Sequence, residues 1–425
     1  MRPLLWLLCA GCNVAPPTVP WARSYGGTGR ETATSLAEAT NGGVLLAGVT
    51  QSSFNAEGTH PWLVRLSESG SLVWQEMLAG AKSETQPLLA ARAGGFVMVA
   101  NTYSDGAGKA DIWVVSLNDD GAIAWQKTFG GISDDLVAGV TVGANGSIAV
   151  VGTTRSFGAG DADWLFIRIA ADGSEAQAQT FGDSDEQIAG AIARFSDDTW
   201  IVAGQTTALG DSDAAFAFVD AAGTFSAPSA IGGTGLDLVT ALSTEDDTFT
   251  LLASTTSFGA GGSDAWVLQG RRNGTINTQR TLGGSGEDRL LSLRSNWALG
   301  TTTVGSDSQL WLVGLATGGA VTAERAYGGS GADDGAALGE APNGDLWLHG
   351  TTSSFGNTGP DLWLVRLGTS LELFQLGASI TTQHSDTHAK PRPLSFTANV
   401  AQLVIRTTKI TPTVTNGRVM PTVGN

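Results

Sequence analysis

Seven acidic residues recur at one place in this chain, a few positions after a Gly pair or its remnant: Glu31, Glu84, Asp135, Glu186, Asp237, Asp288 and Asp333. Carboxylates collect hard cations, and Ca²⁺ takes several oxygens at once. A ring of such acids around one channel mouth is the candidate ligand or cation site of the sequence. The simpler reading, which the residues favour, gives each acid the backbone amides of its own loop or of the next repeat. On that reading no cofactor is required. Three of the loops, GGTGLD, GGSGED and GGSGAD, match a Gly-rich calcium nonapeptide letter for letter. That motif works only where tandem copies stack directly, and here the copies are too far apart in the chain.

Other chemistry is thin. The histidines are His60, His349, His384 and His388. His384 and His388 flank Asp386 in QHSDTHAK at a spacing that suits a metal pair, but the segment is polar, lacks helical signals and reads as a solvated tail. No nucleophile elbow, phosphate-cradling loop or zinc spacing is present. No catalytic residue and no metal ligand is therefore assigned.

The acids sit in a repeat. Trp21, Trp74 and Trp125 share one column, continued by Gln177, Ala227, Thr278, Ala323 and Phe374, at spacings of 53, 51, 52, 50, 51, 45 and 51 residues. Four residues after most of these comes the Gly signal, as in YGG, FGG, IGG and LGG. Within a unit the apolar runs are strand-length, as in LVAGVTVG, SIAVVGTT and DWLFIRI, and they are bounded by Gly, Asn and Asp. Four short strands in about 50 residues match one propeller blade. The sequence predicts an all-β, seven-bladed β-propeller over residues 21–377. An earlier Trp column, Trp62, Trp113, Trp164, Trp266, Trp311 and Trp363, is expected to fill the wedges between blades. Asp111, Asp264 and Asp361 precede it and are expected to accept turn amides. Closure requires that Trp21–Tyr25 join the blade containing Asp361–Leu367, since an open ring leaves strand edges bare.

Composition agrees. Of 425 residues, 58 are Gly without a collagen period, which implies many tight turns, and 13 are Trp against 3 Tyr. The formal charge of −17 and the 23 scattered basic residues exclude a nucleic-acid partner.

The chain opens MRPLLWLLCAGCNVAPP. A basic residue, a short apolar run and small residues before Cys12 resemble a bacterial lipoprotein signal over residues 1–12, followed by a linker over 13–20. That resemblance implies cleavage before Cys12, lipidation of its sulfur and a membrane-anchored address in the bacterial envelope. Asn13 after the Cys implies the outer membrane. The apolar run is too short to cross a bilayer as a helix. With Cys9 removed, Cys12 is the only cysteine left and no disulfide forms. Residues 378–425 differ from the rest: Lys390, Arg392, Arg406, Lys409 and Arg418 stand against Asp386 alone. This tail reads as a hairpin turning at Asn416-Gly417, as the cover of a sheet edge, or as an unstructured extension.

The string G-x-T-x-S-F-G, seen as GTTRSFG and GTTSSFG, followed by D-x-W and W-x-x-x-F-G-G, resembles the bacterial and archaeal surface β-propeller repeats. More distantly it is similar to quinoprotein-like propellers, although no vicinal Cys pair survives in the mature chain. The resemblance implies the fold and says little of function. The expected function is a noncatalytic, lipid-anchored scaffold that binds an envelope protein or glycan. The alternatives are a propeller enzyme with a channel site, glycan-cleaving or quinoprotein-like, and a purely structural envelope protein. A catalytic site should break the repeat with an inserted loop, and the units instead stay nearly equal in length.

Overall fold

The computed structural model describes residues 20–51, 58–356 and 359–373, together with the backbone of five short strands between 377 and 407. Among the described residues there is no helix. Seven sheets of four antiparallel strands each form the blades of a ring. Blades 1 to 6 run in chain order, beginning at Glu31, Glu84, Asp135, Gln187, Asp237 and Arg289. Blade 7 takes its first three strands from Asp333–Glu340, Leu346–Thr352 and Asp361–Leu367. Its outermost strand is the first of the chain: Trp21 pairs Arg366 and Tyr25 pairs Leu362. The ring closes in the predicted register.

Every innermost strand carries a β-bulge two or three residues from its start, for example between Ala33 and Ser35 and between Val239 and Ala241. A bulge increases the local twist and turns backbone groups out of the ladder. Those groups are recovered across the blade interface. The N–H groups of Ala33, Val137, Ala189 and Gly335 donate to Thr351 Oγ1, Asn101 Oδ1, Thr153 Oγ1 and Thr301 Oγ1, at 2.9, 2.8, 2.9 and 3.2 Å. Each acceptor lies on the second strand of the preceding blade. The bulge thus aims one amide at a neighbour, and a β-branched hydroxyl or an Asn amide waits there.

The wedge tryptophans obey a period-two rule with one exception. Trp62, Trp113, Trp266, Trp311 and Trp363 are buried against the preceding blade; Trp113, for instance, packs with Leu45 and Leu63. Each stands two residues after the first residue of its strand that pairs with the adjacent strand's terminal Thr or with its equivalent. Trp164 stands one residue after Asp163 and so projects to the other face, packing with Val202 and Ala215 of the following blade. A one-residue offset reverses the face. Leu165 takes the vacated place against Val99 and Val114, and Ala215 makes room opposite the ring. Trp164 thus also lies in a wedge between blades, on the other side of its own blade from the rest of the column.

The outermost-strand tryptophans answer to the turns. Cβ atoms placed on Gly70, Gly121 and Gly173 would lie 2.5, 3.2 and 2.8 Å from the rings of Trp21, Trp74 and Trp125. Each glycine has a positive φ, at 74, 91 and 74°, and closes the last hairpin of the next blade. Trp74 Nε1 also donates to Asp119 O at 2.9 Å. Where the column has decayed to Ala227, the corresponding Gly274 has nothing within 4 Å. Phe374, the last position of that column, lies outside the described residues.

Beyond blade 7 the chain turns back along the rim. Gly377–Ala378 adds a fifth strand to blade 6, Gln383–Asp386 to blade 5, Arg392–Pro393 to blade 4, Thr397–Val400 to blade 3 and Val404–Thr407 to blade 2. All five pair antiparallel to an outermost strand. Sheet twist of about 20–25° per strand turns the outermost strands toward the circumference. A segment paired to one of them is thereby pointed at the next blade, and links of 3 to 5 residues suffice. Of the tail readings, edge covering holds through Thr407, while Asn416, Gly417 and His388 lie outside the described residues.

Candidate functional site

The recurrent acids lie at the start of the innermost strands. Glu31, Glu84, Asp135, Asp237, Asp288 and Asp333 are all buried, none more than 2% exposed. Each accepts the N–H of the second residue of the Gly pair or its equivalent: Gly27, Gly80, Gly131, Gly233, Gly284 and Gly329, at 2.7–2.9 Å. Thr and Ser hydroxyls of the same blade's second strand and following loop complete the set. Asp237 takes Thr255 Oγ1 and Ser257 Oγ; Asp333 takes Thr352 Oγ1 and Ser354 Oγ. The acid therefore ties the crossover loop to the blade it enters.

Glu186 is not part of this ring. It is a surface residue paired with Arg155 at 2.5 Å, and Gln187, fully buried, holds the position and accepts from Asp183 N at 3.0 Å. Counting from the first residue of the Gly pair shows why: Gly182 lies as far from Gln187 as Gly130 does from Asp135. Glu186 stands next to Gln187 in sequence, so the acid, not the buried amide, falls into the carboxylate column.

A second acid stands behind five of the loop glycines, and Gln309 stands behind Gly328. The Asp starting the third strand of one blade approaches the loop leading into the next. A Cβ on Gly130 would lie 1.8 Å from Asp111 Oδ1 and 2.9 Å from Asp135 Oδ2. The same clasp joins Asp163 to Gln187 across Gly182, Asp213 to Asp237 across Gly232, Asp264 to Asp288 across Gly283, and Asp361 to Glu31 across Gly26. The other oxygen accepts turn amides, from Ala107 to Asp111, Ala159 to Asp163 and Ala260 to Asp264, at 2.9–3.0 Å. Only Gly permits this approach. Where His60 replaces the Asp, Ala79 replaces the Gly, and His60 Nδ1 meets Glu84 Oε2 at 2.8 Å, both side chains buried. Sequence reasoning found Asp111, Asp264 and Asp361 but missed Asp163 and Asp213, where the Trp it used as a marker is shifted or absent, and His60, which precedes Trp62 at the usual spacing but is not an acid. The loop glycines Gly182 and Gly232 would have found Asp163 and Asp213, but not His60, whose loop carries Ala79.

Burial dominates the electrostatics of the clasps. It pushes the carboxyls of Asp135, Asp163 and Asp237 above their usual range, against the hydrogen bonds that hold them down. Asp264 is pushed up to about 6, by burial and by the charges of Asp288 and Glu287. The Oδ2 atoms of Asp135, Asp163 and Asp237 are committed to amides and hydroxyls, while Asp135 Oδ1 and Asp163 Oδ1 are buried without a hydrogen-bond partner among the described residues. Among the described residues, no three His, Cys, Asp or Glu side chains form a metal-holding group.

What that face offers outward is different. The crossover loops and the loops between second and third strands share it. Of the six exposed large apolar side chains among the described residues, four stand there: Ile132 is 81% exposed, Leu236 50%, Val304 44% and Tyr103 39%. Partly or fully exposed acids, including Asp134, Asp161, Asp185, Asp211 and Glu287, surround them. The opposite face has a pocket of about 450 Å³ where blades 6, 7 and 1 meet, lined by Glu38, Glu68, Arg294, Glu340 and Trp347. Its charges are largely spent on one another: Arg294 pairs Glu38, Ser295 Oγ donates to Glu340, and Glu340 N donates to Glu38 Oε1 at 2.6 Å.

No protein-family model matches the chain, and no curated protein matches its sequence. Solved β-propellers match its fold. A protein of unknown function from Dyadobacter fermentans is 12% identical with a TM-score of 0.48, covering 84% of this chain and 100% of its own. The Pan2 WD40 domain of Neurospora crassa is 10% identical at a TM-score of 0.48, over 79% of this chain and 89% of its own. The polysaccharide lyase Uly1 is 9% identical at 0.46, over 85% and 91%. At these identities the likeness concerns architecture alone.

Proposed function

We propose that this chain is a lipid-anchored, noncatalytic β-propeller of the bacterial envelope whose crossover-loop face holds a protein or glycan. One observation carries the reading. The face that buries its repeated carboxylates as loop clasps also exposes Ile132, Leu236, Val304 and Tyr103. Apolar side chains spread over rigid, acid-rimmed loops fit the anatomy of a recognition surface, with an apolar centre and a polar rim. Cys12, through its lipid, holds the ring at the membrane, and a single anchor leaves that face free to meet a partner.

The test is retention of envelope components on the immobilised protein. Ile132→Lys combined with Leu236→Lys should lower retention of its partner at least tenfold, while Glu68→Lys on the opposite face should leave it unchanged. Equal retention by all three would overturn the assignment of the face.

A further inference from the structure

Two of the four apolar side chains exposed on the crossover-loop face, Leu236 and Val304, belong to one arc of loops running from blade 4 to blade 6. Contacts join the arc end to end. Asp237 N, next to Leu236, donates to Ser212 O at 2.8 Å, which sets the loop of Asp211 beside Leu236. Leu236 N donates to Thr256 Oγ1 at 2.8 Å. At the far end of that loop, a Cβ on Gly262 would lie 2.5 Å from Glu287 Oε1. Glu287 N donates to Thr303 Oγ1 at 3.3 Å, and the next residue, Val304, stands opposite Asp307. Each apolar side chain thus has an acid for a neighbour.

The charge along the arc is one-sided. Its loops, residues 207–212, 232–236, 256–263, 284–288 and 303–307, contain no Lys or Arg. Asp211, Glu287 and Asp307 are partly or fully exposed, and among the described residues none of them pairs with a basic side chain. Arg289, exposed on the inner strand of blade 6, leaves the arc acidic on balance. Elsewhere on the same face acids are matched: Asp134 with Lys109, and Glu186 with Arg155. The field of the arc is felt inside the fold, since burial and then the charges of Asp288 and Glu287 push Asp264 up to about 6.

We propose that this arc seats a basic polypeptide segment, with Lys or Arg stems laid on Leu236 and Val304 and their cationic heads at Asp211, Glu287 and Asp307. The proposal rests on the crossover-loop face being the recognition surface, and it names the partner. A basic side chain is apolar along its stem and charged at its tip. An apolar side chain beside an unneutralised acid matches both halves. Between Leu236 and Val304 the loops read TSFGAGGS and GSGED, so small residues leave room for a main chain to lie close. The arc has no exposed aromatic ring on which a sugar could stack: Phe258 is half-buried, with its ring 5.2 Å from that of Trp266. Exposed ion pairs contribute little singly, so several must act together, and salt weakens them.

Fluorescence anisotropy of a labelled Lys–Ala peptide against the full-length protein tests it, with a Glu–Ala peptide as the reverse charge. The Lys–Ala peptide should bind and the Glu–Ala peptide should not. Glu287→Gln with Asp307→Asn should weaken binding about tenfold, and so should Leu236→Ser with Val304→Ser. Glu68→Gln with Asp172→Asn removes the same charge from the opposite face and should change nothing. All these positions are at the surface, and unchanged melting reports that each variant is folded. No binding, equal binding of both peptides, or an equal loss from the opposite-face variant overturns the proposal. A loss confined to the acid variant reveals unspecific charge attraction and also overturns it. Any of these outcomes, with retention of envelope components still sensitive to Ile132→Lys and Leu236→Lys, leaves the face assigned and removes only the basic partner.

Discussion

At the scale of single residues, the chain repeatedly spends charge inside. A carboxylate on one blade and another on the next approach the same loop backbone from two sides, and the missing Cβ of a glycine is what admits the first of them. Gly130→Ala should push a methyl into Asp111 and cost about 1–3 kcal/mol as overpacking. Adding Asp111→His should recover part of that loss, because His60 and Ala79 already coexist at the equivalent places. Thermal melts of the single and double variants decide it, and an additive double would show that the two positions are not coupled. Asp264 gives a pH signature. Its folded pKa, about 6, lies above the unfolded value of 3.8. Its contribution is therefore fully present below the unfolded value and is lost as pH rises through about 6, on the order of 2–3 kcal/mol. Asp264→Asn keeps an acceptor for the Ala260 amide and carries no charge. Its melting temperature should exceed that of the wild type at pH 7, with the gap closing toward pH 4. An unchanged pH slope in the variant would remove Asp264 as the cause.

At the scale of elements, closure rests on strands far apart in the chain. Trp21–Tyr25 supplies the outer edge of blade 7, and Trp21 reaches Trp347 at a centroid distance of 5.7 Å. Deleting residues 13–25 should leave Asp361–Leu367 as a bare edge, which invites pairing with another molecule. The expected result is loss of the monomer in size-exclusion chromatography at micromolar concentration; a monomer with unchanged melting would show that the ring does not need this strand. The outer tryptophans work at the same level. Trp125→Ala would strip the cover from Gly173 and remove a half-buried ring, at a cost of roughly 2–4 kcal/mol. The same change at Ala227 is already native, and the open space at Gly274 shows the chain tolerating one such loss.

At the scale of the whole molecule, two expectations concern what surrounds the ring. With the repeated acids committed to amides and hydroxyls, melting in EDTA and in millimolar Ca²⁺ should be nearly equal. A site with Ca²⁺ at a hundredfold excess over its Kd would add about 2.7 kcal/mol, a shift too large to miss. The second concerns the anchor. No described helix is long and apolar enough to cross a membrane. On the proposed lipid anchoring, Cys12→Ala should move the protein from the membrane pellet to the soluble fraction. A variant still pelleting after a salt wash would take lipidation out of the proposed function.

Periodicity alone determined a great deal here. Blade number, strand count, the closing strand and most of the buried acids follow from a repeat near 50 residues with Gly punctuation, because each blade must bury two faces and each crossover must turn sharply. Where sequence columns misled, the reason was local. Trp164 and Glu186 each stand one residue from their column, and in a period-two strand one residue reverses the face. The partners were hidden for a different reason. Asp111 and Asp135 meet at Gly130, and His60 meets Glu84, across an interface between blades that no spacing within one unit reveals. The belt lay furthest from sequence reasoning. Its strands are two to four residues long, without alternation strong enough to identify them. Only the twist of the blades, which turns each outer edge toward the next, makes one short segment after another fall into place along the rim.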